Sequence, residues 1–381
     1  MKKKKRLKTW IKVVLALFVL IGGGLFIYNS GNTTLKTKPK KIIKNNTTTT
    51  KAPSNELSMV MVGDCLIHRF VYTDAANGDG TYSFDKMFTE VSPLIKDHDL
   101  AYYNQESNIG GKELGLSAYP RFNSPEEIGD AMVNLGFNLI SLANNHTMDK
   151  GEKGVLNSVN YWKTKPGVFY TGEALSWEDR EENIKTFEKN GIKYAFFSYT
   201  TVTNGLLPPA GKEYLTNIYS KEKVQKDIDK VKDKVDLIIV AMHWGEEYTT
   251  NPTAGQKQIA KDLADMGVNL IIGNHAHSLQ PVEMVGDTLV FYALGNFIAA
   301  QDTPDKQTGA LVTLNIKKDK DGKITFSNIE ANLIYTYFRG STGFKVYPYA
   351  RLDNNLLSNY QSYFNKYKGV LTRYTDILEV K

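Results

Sequence analysis

Six short apolar runs in this chain each stop at carboxylate, amide or imidazole side chains, and that recurrence constrains the fold more than any other feature. Ser58–Val62 runs into Gly63-Asp64, Leu100–Tyr103 into Asn104-Gln105-Glu106, and Phe137–Ala143 into Asn144-Asn145-His146. Val235–Met242 runs into His243, Val268–Ile272 into Gly273-Asn274-His275-Ala276-His277, and Thr288–Ala293 into Leu294-Gly295-Asn296. Short apolar runs bounded by such punctuation read as buried strands. Helical patterns lie between them. Ser124-Pro125-Glu126-Glu127 reads as a capping box with Pro at the first helical position; Ile128, Met132 and Leu135 follow on one face and Gly136 ends the helix. Thr253 to Gln256 reads as a second capping box, before Ile259, Leu263 and Met266. Strands alternating with helices predict an α/β fold, with ligands at the strand ends. A hairpin turned at Asp321-Gly322 is expected between Ala310–Ile316 and Lys323–Ile329.

A single histidine is most often a packed or surface residue. Here four of the six, His146, His243, His275 and His277, follow apolar strands, and Asp64 and Glu106 follow two more. Carboxylate, imidazole and amide oxygen together suit divalent Mn, Fe or Zn. Two such ions about 3.5–4 Å apart can clamp a phosphoryl or acyl oxygen. His275-x-His277 would set both rings on one face of an extended segment. The expected metal ligands are Asp64, Glu106, Asn145, His243, His275 and His277. The sequence carries no P-loop, Rossmann glycine set or G-x-S-x-G elbow. With one cysteine, Cys65, it has no internal disulfide and no multi-cysteine zinc site. Cys65 reads better as a small buried residue than as a soft ligand.

Charge is unevenly distributed. Residues 1–51 hold thirteen of the 47 Lys and Arg and no acid, which leaves 34 basic against 41 acidic residues, a net of −7, for the remainder. That balance argues against nucleic acid as a partner. Lys2 to Lys5, Arg6, Lys8 and Lys12 precede a charge-free apolar run, Val13 to Tyr28. We read 1–9 as a cytoplasmic basic segment and 10–28 as a single transmembrane helix, with everything after it outside the cell. A cleaved signal peptide is the alternative. Residues 29–55, rich in Asn, Thr, Lys and Pro, read as a disordered linker. One domain over 56–340 and a partly helical tail over 341–381 complete the expected plan.

The strand-end motifs also carry a resemblance. Val62-Gly63-Asp64, Asn104-Gln105-Glu106, Ala143-Asn144-Asn145-His146, His243-Trp244-Gly245-Glu246-Glu247-Tyr248, Gly273-Asn274-His275-Ala276-His277 and Leu294-Gly295-Asn296-Phe297 occur in the order of the CapA family of poly-γ-glutamate capsule synthesis proteins, called PgsA in some bacilli. That family belongs to the calcineurin-like metallophosphoesterase superfamily. The resemblance implies a two-sheet β-sandwich flanked by helices, with two divalent ions at the strand ends. It makes His146 a general acid or transition-state stabiliser pointing past the metals. Asp149 would then hold its ring, unless His146 is itself the ligand and Asn145 packs the loop.

Two departures stand out. The superfamily's Asp-x-His maps onto Asp64, but position 66 is Leu, so His68 is the candidate substitute. The family's Gly-His-His-Pro-His is here Gly-Asn-His-Ala-His. Arg121 with Asn123 are candidates to hold an anionic substrate, and Glu246 and Glu247 to orient His243. The partners implied are the membrane, poly-γ-glutamate or another cell-surface polymer, and subunits of a membrane synthase. Two readings of function stay open: a metal-dependent hydrolase, and a non-catalytic subunit that guides or binds a polymer. For a polyanion, the net charge of −7 demands bridging cations or a local basic patch.

Overall fold

Two β-sheets face each other and helices cover both outer surfaces. The computed structural model describes residues 54–381; the segments read as cytoplasmic tail and anchor, and the linker up to residue 53, lie outside the described residues. Among the described residues no helix is long and apolar enough to cross a membrane. The first sheet has nine strands, built on β1 (Glu56–Leu66), β2 (Leu100–Gln105), β3 (Leu139–Ser141) and β4 (Phe169–Thr171) in parallel. The second has six, in which β5 (Phe187–Lys189) pairs antiparallel with β6 (Ile192–Thr200), and β6, β7 (Leu237–His243) and β8 (Leu270–Asn274) run parallel. The hairpin β9 (Val282–Val285) and β10 (Thr288–Phe291) completes it. The chain then crosses to the first sheet as β11 (Asn296–Ala299) and the long antiparallel strands β12 (Thr308–Lys318) and β13 (Ile324–Arg339).

Strand alternation explains the layers. Leu57, Met59, Met61, Leu100, Tyr102 and Leu139 of the first sheet meet Tyr194, Phe196, Ile239, Ala241 and Ile272 of the second in one buried core. The intervening residues face outward: Val60, Ala101 and Ile140 under helices that carry Ile128, Met132 and Trp162, and Phe197, Val240 and Ile271 under Val224, Ile228 and Leu263. Followed to the strand ends, the inward parity delivers Asn104, Glu106, His243 and Asn274 to the mouth of the inter-sheet layer. Asp64 does not obey it, because period two from Val60 and Val62 would aim it at the helices. A register shift between Met61 and Asp64 turns it inward and sends Cys65 into the outer core instead. Gly63 makes the shift sterically feasible, since a Cβ there would overlap the Gly295 carbonyl. There β12, paired to residues 56–61, gives way to β11, paired to 64–66.

Two sequence expectations change. The helix expected after Ser124 begins at Glu127 with no side-chain cap. Ser124 Oγ instead donates to Ser107 Oγ at 2.8 Å, binding the loop to the first sheet. The boundary at 340 falls inside a hairpin: Thr342–Pro348 (β14) pairs with β13, and so does Glu379–Val380 (β15), with the helix Tyr360–Leu371 between them. The compact unit accordingly runs on to Lys381. The Lys-rich helix Lys221–Asp229 buries one of its acids. Its buried Asp227 receives Arg180 through Nη1 at 3.2 Å and Nη2 at 2.5 Å, and the Tyr199 hydroxyl at 2.9 Å. Removing one member of a buried pair strands the other, so Asp227→Ala should destabilise the fold by about 3–5 kcal/mol in denaturant unfolding. A loss under about 1 kcal/mol, the range of an exposed pair, would contradict that reading.

Candidate metal centre

All six expected ligands are buried at the strand ends, from Asp64 and Glu106, both wholly inaccessible, to His275 at 4% exposure. Two subsets each bring one donor atom per residue within 4.8 Å of one another: Glu106 with His243 and His275, and Asp64 with Glu106 and His277. Glu106 is common to both. Its Oε1 lies 3.7 Å from His243 Nε2 and 3.5 Å from His277 Nε2. Asn145 joins the first subset, its Oδ1 being 2.9 Å from His243 Nε2, and His275 Nδ1 is 3.1 Å from the same nitrogen.

The supporting contacts come largely from asparagines. Asn104 sits between Asp64 and His243, its amide nitrogen 2.8 Å from Asp64 Oδ1 and 3.3 Å from His243 Nδ1. Asn296 Oδ1 lies 2.9 Å from His277 Nδ1. Asn144 accepts from the His146 amide at 2.9 Å and donates to the Gln105 carbonyl at 2.9 Å, tying that loop to β2. Asn274 reaches across the sandwich to the Tyr102 hydroxyl at 2.7 Å. Sequence reasoning does not single out Asn104 or Asn296 as site residues; the available signal is that both follow apolar runs, as the ligands do.

The His275-x-His277 pair is not on an extended segment. β8 ends at Asn274, and both histidines have left-handed backbone, φ +90° and +49°. The turn lets the His275 amide donate to Asp64 Oδ2 at 3.1 Å while the two rings reach different subsets. Non-glycine residues in that region are costly, and such strain concentrates at functional sites.

His146 stands apart from both subsets and lines a cleft of about 530 Å³ with Arg121, Tyr248 and His277. Its Nδ1 is 2.8 Å from Asp149 Oδ2, which also accepts from the Phe122 amide at 2.6 Å, and the Phe122 ring meets the imidazole edge-on at 4.6 Å between centroids. His68 lies on the same cleft but in neither subset, its Nδ1 turned to the Leu66 carbonyl at 3.1 Å and the Ala300 amide at 3.3 Å. Asn123 does not reach the cleft; it is fully buried and holds the backbone of Gly110, Gly111 and Gly115. Glu246 and Glu247 are exposed and make no hydrogen bond to His243, whose ring contacts come from Asn104, Asn145 and His275. Trp244 is packing: it stacks on Tyr292 and donates to its carbonyl at 2.9 Å.

Residues 58–301 match the family described as bacterial capsule synthesis protein PGA_cap. The chain belongs to that family. It is 31% identical over 280 residues to the capsule biosynthesis protein CapA of Bacillus anthracis, covering 69% of this chain and 65% of that one. It therefore spans just under two thirds of that relative's length. It is 27% identical over 294 residues to the PGA biosynthesis protein CapA of Bacillus subtilis, covering 72% of this chain and 71% of that one. Among solved structures, the NAD nucleotidase of Haemophilus influenzae is similar at a TM-score of 0.47 and 13% identity, covering 86% of this chain and 64% of that one.

Electrostatics divides the candidate ligands of this PGA_cap chain. Burial, and then the neighbouring histidines, hold the His243 imidazole well below its usual pKa. Burial, reinforced by His277, takes His275 down to about 4. Burial also acts to lower His277, but the Glu106 and Asp64 carboxylates outweigh it and lift that ring to about 10. At pH 7 His243 and His275 are thus free donors, whereas His277 holds a proton. A metal must displace that proton, so the metal-free state binds more protons than the loaded one at any pH below about 10. Affinity for a divalent ion should rise with pH from neutrality by at least about tenfold per unit, because Glu106, also held well above its usual pKa, can give up a second proton. Competition titrations at several pH values would measure the slope; a flat profile would contradict His277 as a ligand.

Proposed function

We propose that this PGA_cap chain is a metal-dependent hydrolase held outside the membrane by residues 10–28, acting on a phosphoester or amide bond of a cell-surface polymer such as poly-γ-glutamate. The observation that carries this reading is Glu106. Both of its carboxylate oxygens are fully buried without a hydrogen-bond partner, yet both candidate ligand subsets share it. Burial pushes its pKa well up, opposed by His277. A buried carboxylate is costly unless it is paired or coordinates a cation, and the His277 ring, 3.5 Å away, attracts Glu106 without a hydrogen bond.

The donor set fits first-row divalent ions such as Mn, Fe or Zn, for it is carboxylate, imidazole and amide oxygen with no thiolate. Glu106, Asn145, His243 and His275 would hold one ion, and Asp64, Glu106 and His277 a second. Bound there, such ions supply charge for a developing oxyanion and acidity for a water. His146 does the proton work of the chain itself. Its Nδ1 is committed to Asp149, so Nε2 is the nitrogen that exchanges a proton with the leaving group. Asp149 and Phe122 fix the ring in that orientation.

A second reading, a non-catalytic subunit that guides polymer, is favoured by Leu66. The resemblance expects a histidine there, and the Asp64 subset has three donors without it. Phosphodiester hydrolysis by the purified chain, with Mn²⁺ and with chelator, separates the two. Turnover that chelator abolishes and Mn²⁺ restores supports the hydrolase; tight polymer binding with no turnover under either condition supports the guide.

A further inference from the structure

Beside the metal cleft lies a second cavity, also of about 530 Å³. His68, Tyr119, Pro120 and Arg121 line both, so the two adjoin across the loop that carries Arg121. Three cations line the second cavity, Arg69, Arg121 and Lys150, and no carboxylate does. None of the three has an ion-pair partner among the described residues, and residues 1–53 contain no acid that could provide one. Outside its basic N-terminus the chain is acidic, so a cavity gathering three uncompensated positive charges runs against the composition of the domain around it. Like charges held together without counterions are repulsive, and a ligand bearing negative charge relieves that repulsion. Arginine pairs with carboxylate in a planar, two-point fashion. Exposed Phe70 lines the same cavity, as does Tyr119, 77% exposed, and both give apolar surface on which the spacers between anionic groups can lie. Each cavity has the volume of an ordinary ligand site. A ligand that fills both is therefore an extended chain, not a single small anion.

We propose that Arg69, Arg121 and Lys150 form an anion-binding subsite for an extended polycarboxylate, whose next segment lies in the cleft over His146 and His277. This rests on the polymer-hydrolase reading above for the role of the cleft, but the subsite binds without turnover. It also supplies the local basic patch that a net charge of −7 demands of a protein that handles a polyanion.

The experiment is fluorescence anisotropy with the full chain and a short fluorescein-labelled γ-linked oligoglutamate, at low and raised salt. A glutamine oligomer of equal length and inorganic polyphosphate are the comparators. Wild type should bind the oligoglutamate, weaken with salt and ignore the glutamine oligomer. Each cation removed should cost about tenfold in Kd, so Arg69→Gln with Lys150→Gln costs about a hundredfold and flattens the salt dependence. Arg69→Lys, which keeps the charge but not the two-point contact, should lose less than Arg69→Gln, and an unchanged melting temperature of the double variant excludes misfolding as the cause of its loss. No oligoglutamate binding by wild type, undiminished binding by the double variant, or tighter binding of polyphosphate would each overturn the proposal. The same titration on the Glu106→Gln chain separates this proposal from the hydrolase reading. Binding that persists there supports the subsite even if no metal or turnover is found, and binding lost there alone overturns it.

Discussion

Glu106→Gln should empty both ligand subsets at once. A glutamine has the shape of the native side chain but not its charge, and Glu106 is the residue the two subsets share. Loss of a supporting contact behind a metal ligand costs about 10–100-fold in affinity, and loss of a shared charged ligand should exceed that. Hydrolysis should fall with the metal. In the metal-free fold the variant gives up the attraction between Glu106 and His277 at 3.5 Å, but it also removes the cost of burying a charge that has no hydrogen-bond partner. Burial is the larger of the two effects on Glu106, so the fold should not weaken. Thermal unfolding in chelator should place the variant at or above wild type, while metal analysis finds it empty. Unaltered metal content would remove Glu106 from the centre; a large drop in the chelated melting temperature would make it a structural residue.

His146→Ala should behave in the opposite way, keeping metal and losing turnover. Its ring lies in neither ligand subset and is held by Asp149 and Phe122 on the wall of the cleft. A positioned general acid contributes about 10²–10⁴ in rate, and that is the loss expected in kcat at unchanged metal stoichiometry. If metal is lost as well, His146 is a ligand. If both survive, the guide reading becomes the better account of the chain.

Much of this organisation is legible in the sequence, and the parts that are not have physical reasons. Apolar runs ending in polar clusters locate the strands, and period two along β2 and β7 carries Glu106 and His243 inward without further help. Asp64 escapes that rule. A one-residue register shift at Gly63 reverses its direction, and it depends on the backbone of Gly295, far away in the chain. The His275-x-His277 pair misleads for a related reason: spacing of two reads as a strand, while the observed backbone is a left-handed turn. Ser124 has the composition of a cap but spends its hydroxyl on Ser107, a partner that only tertiary structure provides. Asn123 and Arg121, neighbours in sequence and assigned together to substrate, part company because one side chain is buried in its own loop and the other rims the cleft. The three cations of the second cavity come from positions 69, 121 and 150, and no local pattern announces their convergence.

The most direct test of a divalent-metal centre at these strand ends is metal analysis of the purified chain beside a His275→Gly, His277→Gly variant. Glycine is the appropriate replacement, since both positions have left-handed backbone that an alanine would strain. The prediction is bound Mn, Fe or Zn in the wild type, none in the variant, and the same circular dichroism for both. A metal-free wild type that takes up no divalent ion on titration, or a variant that retains the wild-type metal content, would contradict it.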